Sequence, residues 1–333
     1  MRSSVIFASL ATLLSSCAAQ KVVGSAMGFA KGATGGGSAT PAVPKDIAQL
    51  KTWLSDSVAR VIVIDKEYNF IGSEGKVTEN GCRPASNKCP GNGGQDAING
   101  ANWCDGQPAV KVTYDKAGVS GLVVGSNKSI VGVGAKGVIR GKGLRMQSGV
   151  KNVIIQQMFA ASSGGSTSGR ITISNTEFDG STAWSASCNN KHYWTILLNG
   201  SKDSVTLFGN YIHHTSGRSP KVAGKATIVH AVNNMFHEAV ETFDVTSPSQ
   251  VVAEGNVFYR VKTSLLGKTG KLYTLPGSAC KANLGHDCVG NAVTESGAFS
   301  ASDNILAAFK GYPTFAVGKA TTNIRLTAGV GKI

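Results

Sequence analysis

The sequence predicts an all-β fold, a single-stranded parallel β-helix, and three observations carry that reading. Short β-rich runs recur from Leu122 onward: 129–133, 137–146, 152–158, 170–178, 204–212, 227–236 and 250–258. Three of them register at a spacing of 23, with Val205, Ile228 and Val251 in one column and Asn210, Asn233 and Asn256 in another. A repeat of twenty-odd residues with a strand, a turn Asn and a second strand is what stacked coils look like in sequence. An Asn at each corner tolerates the left-handed region and can hydrogen-bond its equivalent on the next coil. Helical runs between the strands, which a doubly wound α/β fold requires, are absent. Glycine is abundant at 42 and proline scarce at 9 of 333 residues, which suits many tight corners.

The elements follow in chain order. Residues 1–19 carry Arg2, the apolar run Val5 to Leu14, then Ser15-Ser16-Cys17-Ala18-Ala19. That pattern predicts a secretory signal peptide cut near Ala19, too short to span a bilayer, and leaves 20–333 as one domain. No other stretch is long and apolar enough for a membrane. Gly24 to Thr40 is glycine-rich, readable alone as a flexible leader. A short helix is expected next, with Pro44 near its start and Ile47, Leu50 and Leu54 on one face. Arg60 to Asp65 (RVIVID) reads as a buried strand.

Residues 72–108 are polar, hold three cysteines and read as a surface excursion. Trp103, beside Cys104, either stacks on sugar rings or covers a disulfide. The segment 132–137 matches G-x-G-x-x-G, but Val138-Ile139-Arg140 begins another strand, so no helix N-terminus awaits a phosphate. Past Val261 the period fades, and the remainder is expected to cover the open end of the stack. Of seven cysteines, six remain beyond Ala19. An even number in an exported chain implies disulfides, with the pairing left open by spacing alone. No two stand at zinc-finger spacing.

Formal charge is +14, from 33 Lys and Arg against 19 Asp and Glu. A strongly basic exported protein suits a polyanion. Nucleic acid is disfavoured, since there is no Lys/Arg run and no aromatic-basic RNA motif. Within this field, Gly209 to Val222 (GNYIHHTSGRSPKV) places Arg218 at a strand-to-loop corner, with Pro220 stiffening the exit and Lys221 close by. From residue types alone this is either a solvated turn arginine or a fixed double-positive site for an anionic or carbonyl-rich ligand.

HTSGRSPKV, followed by HAVNN from His230 and AEGNVF from Ala253, closely resembles the pectin lyases of the pectate lyase superfamily. The resemblance runs from about Val23 to Val289 and includes the GFA-G-TGGG-AT pattern of the leader, which packs against the body in that family. It implies a right-handed parallel β-helix, a secreted monomer and no cofactor or metal. The implied reaction is β-elimination on methyl-esterified polygalacturonan: a base removes the C5 proton and the C4 oxygen leaves, giving a 4,5-unsaturated end. A neutral ester acidifies that proton more than a carboxylate does.

The family assigns the base to the arginine of this motif, here Arg218. Because a guanidinium ordinarily keeps its proton to about pH 12 or beyond, residue chemistry by itself supports electrostatic stabilisation of the enolate. Lys221 is a second candidate for that charge. His192, Trp184 and Trp103 are further candidate substrate-binding residues, Tyr193 is a further aromatic expected at the cleft, and Trp194 either lines the cleft or joins the core. The resemblance pairs Cys82 with Cys104, Cys89 with Cys188, and Cys280 with Cys288. Leu14-Ser15-Ser16-Cys17 imitates a bacterial lipoprotein box, but the likeness to eukaryotic secreted enzymes favours the signal peptide. Asn127-Lys128-Ser129 and Asn199-Gly200-Ser201 are glycosylation sequons.

One departure stands out. The family's GGDAI-type Asp, WIDH-type strand and second cleft arginine have no counterpart here, where only QMFAASSGGSTSGR spans 157–170. One to two coils, at roughly 20–25 residues each, are therefore expected to be missing. A skipped exon, an inactive pectin-binding paralogue or decoy, and a lyase relying on Arg218 alone are the competing accounts, the first two preferred. Other enzyme classes fit less well. A polygalacturonase would cluster carboxylates, whereas Asp179, Asp203 and Asp244 are scattered; a calcium-dependent pectate lyase would want several carboxylates converging on the cleft. His213 and His214 beside Ser216 lack the G-x-S-x-G elbow of a hydrolase and read as loop histidines.

Overall fold

Alternate apolar residues set the inward face of each short strand, and stacking then puts like residue over like. The computed structural model describes residues 21–87, 89, 95–147, 149–156, 169–312 and 315–332. The expected signal peptide lies outside them, as does most of the 157–170 segment.

Each complete coil contributes a strand to three parallel sheets. In the C-terminal stack the first sheet runs Arg170–Ser174, Ser204–Phe208, Ile228–Val232, Gln250–Glu254 and Lys271–Tyr273. The second runs Glu177–Asp179, Tyr211–His213, Met235–His237, Val257–Tyr259 and Ala292–Thr294. The third, not foreseen from the repeat, runs Leu197–Leu198, Lys221–Val222, Glu241–Val245 and Thr263–Lys268. Val205, Leu207, Val229, Ala231, Val251 and Ala253 point inward and are fully buried. On the second sheet Ile212, Phe236 and Phe258 share one column, with the two phenyl rings stacked at 4.9 Å. Burying such side chains contributes about 1.5–3 kcal/mol each, which no single coil could collect alone.

The register differs by one residue from the sequence reading. Val205 pairs with Val229, and Val229 with Val251, so Ile228 is not in that column. The asparagine ladder likewise runs through Asn210, Asn234, Asn256 and Asn291, each amide nitrogen donating to the next side-chain oxygen at 2.8–2.9 Å. Asn233 is the turn residue instead, at φ +49°, equivalent to Gly209 at +63° and Gly255 at +64°. Turning and stacking fall on adjacent positions, and coil lengths of 24 and then 22 residues blurred them into an apparent 23. The period also persists beyond Val261: Lys271–Tyr273 and Ala292–Thr294 form a further coil that carries Asn291. The Cys280–Cys288 loop is an insertion within that coil, and Phe299 packs against Phe258 and Phe243 at its end.

An N-terminal stack pairs Pro41–Ala42, Arg60–Ile64, Lys128–Gly132 and Val153–Gln156 in one sheet. The helix Ile47–Ser55 caps it, burying Leu50 and Leu54, and Asp46 opens that helix by accepting from the Gln49 amide at 2.8 Å. Lys76–Cys82 and Ala109–Asp115 form an antiparallel ribbon at the base of the excursion. Disulfides join Cys82 to Cys104 and Cys89 to Cys188. After Gly132 come a single turn, Gly134–Lys136, and the strand Val138–Arg140, with no α-helix at the glycine motif.

Among the described residues no pairing joins the two stacks. Val153–Gln156 pairs only with the strand before it, and Arg170–Ser174 only with the strand after it. Ile171 and Ile173 are accordingly half-buried and Ile155 is exposed, whereas Val205 and Leu207 one coil on are sealed. The glycine-rich leader bridges the break. Val23 exchanges two hydrogen bonds with Gln156, Thr34 and Gly35 donate to Asn152, and Phe29 and Ala30 donate to Thr206 and Thr172. It lies close enough that a Cβ on Gly36 would sit 2.1 Å from the Arg60 carbonyl oxygen. Gly36→Ala is expected to cost about 2 kcal/mol by displacing backbone, read as a lower midpoint in urea unfolding.

Candidate functional site

The corner after Tyr211–His213 builds the site. His214 and Arg218 both adopt left-handed backbone, at φ +51° and +54°, which costs a non-glycine residue about 1–2 kcal/mol. Between them Thr215 and Ser216 are buried, and the Ser219 hydroxyl donates to Thr215 Oγ1 at 2.9 Å. The Ile196 amide donates to the Arg218 carbonyl at 3.2 Å. Ser219-Pro220 is cis, and the chain then enters the strand Lys221–Val222. The arginine is thus held from both sides of its own backbone.

Its side chain lies in a cleft of about 520 Å³ on the third sheet. Arg218, Lys221 and Lys225 supply three cations, Trp194, Ile196, Leu197 and Ala223 the apolar wall, and Asn199 and Ser201 neutral polar groups. Among the described residues no carboxylate lines it. The nearest acid, Asp244, accepts from Lys221 Nζ at 2.8 Å and stands 3.8 Å from Arg218 Nε. That separation is too long for a hydrogen bond, and Arg218 Nε is buried without a hydrogen-bond partner among the described residues. The guanidinium carbon lies 5.3 Å from the centre of the Tyr193 ring, within cation–π range. Tyr193 in turn meets Trp194 edge-on. Gly217 makes this possible, because a Cβ there would stand 2.6 Å from a Tyr193 ring carbon.

The candidates from sequence are distributed unevenly. Arg218 and Lys221 share the cleft. His192 is near the corner but acts there through its backbone, accepting from the Ser216 amide at 2.9 Å, while its Nε2 lies 3.1 Å from the Trp194 carbonyl oxygen. Trp184 and Trp103 are exposed on the surface, and neither lines the cleft. The Cys89–Cys188 disulfide ties the excursion that carries Trp103 to the loop that carries Trp184. Trp194, which the sequence left open between cleft and core, is 53% exposed and forms part of the wall. Asp244, read from sequence only as a scattered carboxylate, and Lys225 were not placed at the site. The repeat held a signal for the first, since Lys221 pairs directly with Asp244 on the next coil.

Behind the corner, burial holds the His213 imidazole below its ordinary pKa despite the opposing pull of Asp179 and Glu177. Burial likewise lowers His237 and raises Tyr211. These groups lie on the second sheet, outside the cleft lining.

No family model matches the chain. Curated relatives do. A probable pectin lyase F of Aspergillus niger is 45% identical, covering 95% of this chain and 76% of its own length. Pectin lyase B of Emericella nidulans is 42% identical over 98% of each chain. A probable pectin lyase A of Aspergillus fumigatus is 43% identical over the whole of both, in an alignment of 386 positions. Among solved structures, a thermostable pectate lyase superposes with a TM-score of 0.56 at 16% identity, covering 92% of this chain and 97% of that one. A Bacillus subtilis pectate lyase gives 0.52 at 14% identity, covering 95% and 99%. The structural likeness shows the right-handed parallel β-helix, the sequence likeness goes further at over 40% identity from end to end, and this chain belongs to the pectin lyase family.

Proposed function

We propose that this protein is a secreted lyase that cleaves methyl-esterified polygalacturonan by β-elimination, with Arg218 at the reacting C5. The observation that carries the reading is the charge of the cleft: three cations and, among the described residues, no lining carboxylate and no hydrogen-bond partner for the buried Arg218 Nε–H. A glycoside hydrolase needs two carboxylates flanking the bond, and this lining has none. Elimination breaks the C5–H bond, the proton passing to water in the cleft, places its electrons in a C4–C5 double bond and releases the C4 oxygen, which takes up a proton from solvent. Negative charge gathers on the ester carbonyl as the proton leaves, and a fixed guanidinium there stabilises it. Lys221, held by Asp244, supplies a second positive charge on the same wall, and Trp194 offers a flat apolar face to a sugar ring. His192, Trp184 and Trp103 serve as outer substrate contacts in this reading.

The chain is further proposed to act as a single domain over residues 20–333 behind a signal peptide, as a monomer, with no nucleic acid or membrane partner. It is also proposed to lack one to two coils relative to its relatives. The 386-position alignment against 333 residues, a difference of 53, supports this, as do the edges on either side of 157–168, unpaired among the described residues. That same break favours a second reading, a pectin-binding protein without turnover. The two separate on incubation with highly esterified pectin: ultraviolet absorbance of the unsaturated product supports the lyase, and retention on immobilised pectin without product supports the binder. Gly217→Ala tests the positioning of the arginine. By displacing Tyr193 it is expected to lower the rate about 10-fold with little change in Tm, as small misplacements of a reacting group do.

A further inference from the structure

We propose that His213, His214 and Asp179 form a binding site for a divalent first-row transition cation of the zinc class, on the second sheet and separate from the cleft. His213 Nδ1 faces His214 Nδ1 at 2.7 Å, and Asp179 Oδ1 stands 3.7 Å from the same His213 nitrogen. The three candidate ligand atoms lie within 4.8 Å of one another. Asp179 and His213 are register partners on neighbouring coils, so stacking itself brings them together.

The hydrogen bonds on the far side of each ring decide what the near side can be. His213 Nε2 meets Glu177 Oε1 at 3.2 Å, and His214 Nε2 meets Glu238 Oε2 at 2.9 Å. An ionised carboxylate only accepts, so each Nε2 carries the hydrogen and each Nδ1 presents a lone pair. Two lone pairs then point at each other at 2.7 Å. Something positive belongs between them, and Asp179 adds an anionic oxygen to the same spot. An imidazole whose outer N–H is held by a carboxylate is the arrangement that orients metal-binding histidines.

The spacing suits a small tetrahedral ion. Bonds of about 2.0–2.1 Å place neighbouring ligands roughly 3.4 Å apart, between the two separations seen, and His214 is exposed enough to open by the difference. Nitrogen ligands select zinc, nickel or copper over calcium and magnesium. The surroundings are fixed. Tyr211 stacks on His213 at 4.1 Å and bonds His237 at 2.8 Å, while His237 stands 3.7 Å from Glu238. Of the cations nearby, Lys332 and Arg260 are taken up by Glu177 and Glu238, with Glu295 also on Arg260, Lys191 Nζ donates to the Glu238 carbonyl at 2.6 Å, and Arg325 lies near Tyr211. An ion here would tie the coil of Asp179 to the next and pin His214, where the corner that carries Arg218 begins. The resemblance implied no metal, and in the sequence Asp179 and His213 stand 34 residues apart; the coil geometry unites them.

The test uses the full chain freed of metal by a chelator and titrated calorimetrically with Zn2+, then with Co2+ followed by visible absorption. A single Zn2+ per chain, a rise in Tm, and a Co2+ spectrum of nitrogen and oxygen coordination are expected, with no Tm shift from Ca2+. His214→Ala is expected to abolish binding, and Asp179→Asn and Glu238→Gln to weaken it at least about 10-fold. Should His214→Ala fail to fold, the exposed Asp179 variant still decides. Absence of stoichiometric Zn2+ binding, or equal affinity in the wild type and Asp179→Asn, would overturn the site and leave the two imidazoles sharing a proton.

Discussion

Arg218→Ala is expected to lower kcat/KM on highly esterified pectin by about 10²–10³-fold, the usual loss when one preorganised charge-stabilising donor is removed. The Tm is expected to hold, because among the described residues no hydrogen bond of the Arg218 side chain supports the fold: its Nε is buried without a partner there, and its nearest acid already accepts from Lys221. Relieving left-handed backbone gives no gain with alanine, which shares the penalty. Arg218→Lys keeps a positive charge but loses the planar fork that lies over Tyr193, and is expected to recover only a small part of the rate. Steady-state rates from the unsaturated product's absorbance, alongside thermal melts, separate the chemical effect from any structural one.

Glu254→Ala is expected to destabilise the chain by about 3 kcal/mol or more, the scale for breaking a buried charged pair from one side. The carboxyl is 1% exposed and accepts from His230 Nε2 at 2.7 Å, His286 Nε2 at 3.0 Å and the Val289 amide at 3.0 Å. Truncation strands all three donors, of which His230 is itself buried. Burial alone would raise the pKa of this group, but His230, Val289 and His286 together hold it below the ordinary value. A carboxyl lowered on folding contributes stability that is fully present above its unfolded pKa, about 4.3, and is lost as pH falls through the lower folded value. Urea midpoints from pH 7 down to pH 3 are therefore expected to fall more steeply in the wild type than in Glu254→Gln.

Much of the fold was legible because a β-helix writes its period into the chain. Val205, Leu207, Val251 and Ala253 announce an inward face by alternation alone, and each neighbouring coil repeats it. What misled was the assumption of a constant period. Coils of 24 and 22 residues average to 23, so Asn233, a turn residue, stood in for Asn234, the one that stacks. A 35-residue step from Asn256 to Asn291, made by the inserted disulfide loop, hid the last coil altogether. The third sheet was invisible for a different reason. Two of its four strands, Leu197–Leu198 and Lys221–Val222, are two residues long, too short for any alternation to register, so no column led to the longer Glu241–Val245 and Thr263–Lys268.

The candidate site was legible where one local motif held it and obscure where coils had to meet. Arg218 and Lys221 lie within four residues and were read together. Tyr193 was legible as a cleft aromatic, but its place beneath the guanidinium was not, since it lies on the coil whose Ile196 bonds the Arg218 carbonyl. Trp194 sits in an apolar run, Trp194-Thr195-Ile196-Leu197, whose composition suggests core. Outward facing on a narrow sheet leaves both it and Leu197 exposed, as a binding wall. The same logic kept Asp179 apart from His213 in the sequence.

The measurement that bears most directly on the lyase reading is the mass of the oligomers released from highly esterified pectin in water enriched in 18O. Elimination gives fragments whose masses sum to that of the substrate, with a 4,5-unsaturated end and no 18O, produced by the wild type and lost in Arg218→Ala. Fragments heavier by one labelled water, or unsaturated fragments produced equally well without the arginine, would contradict it.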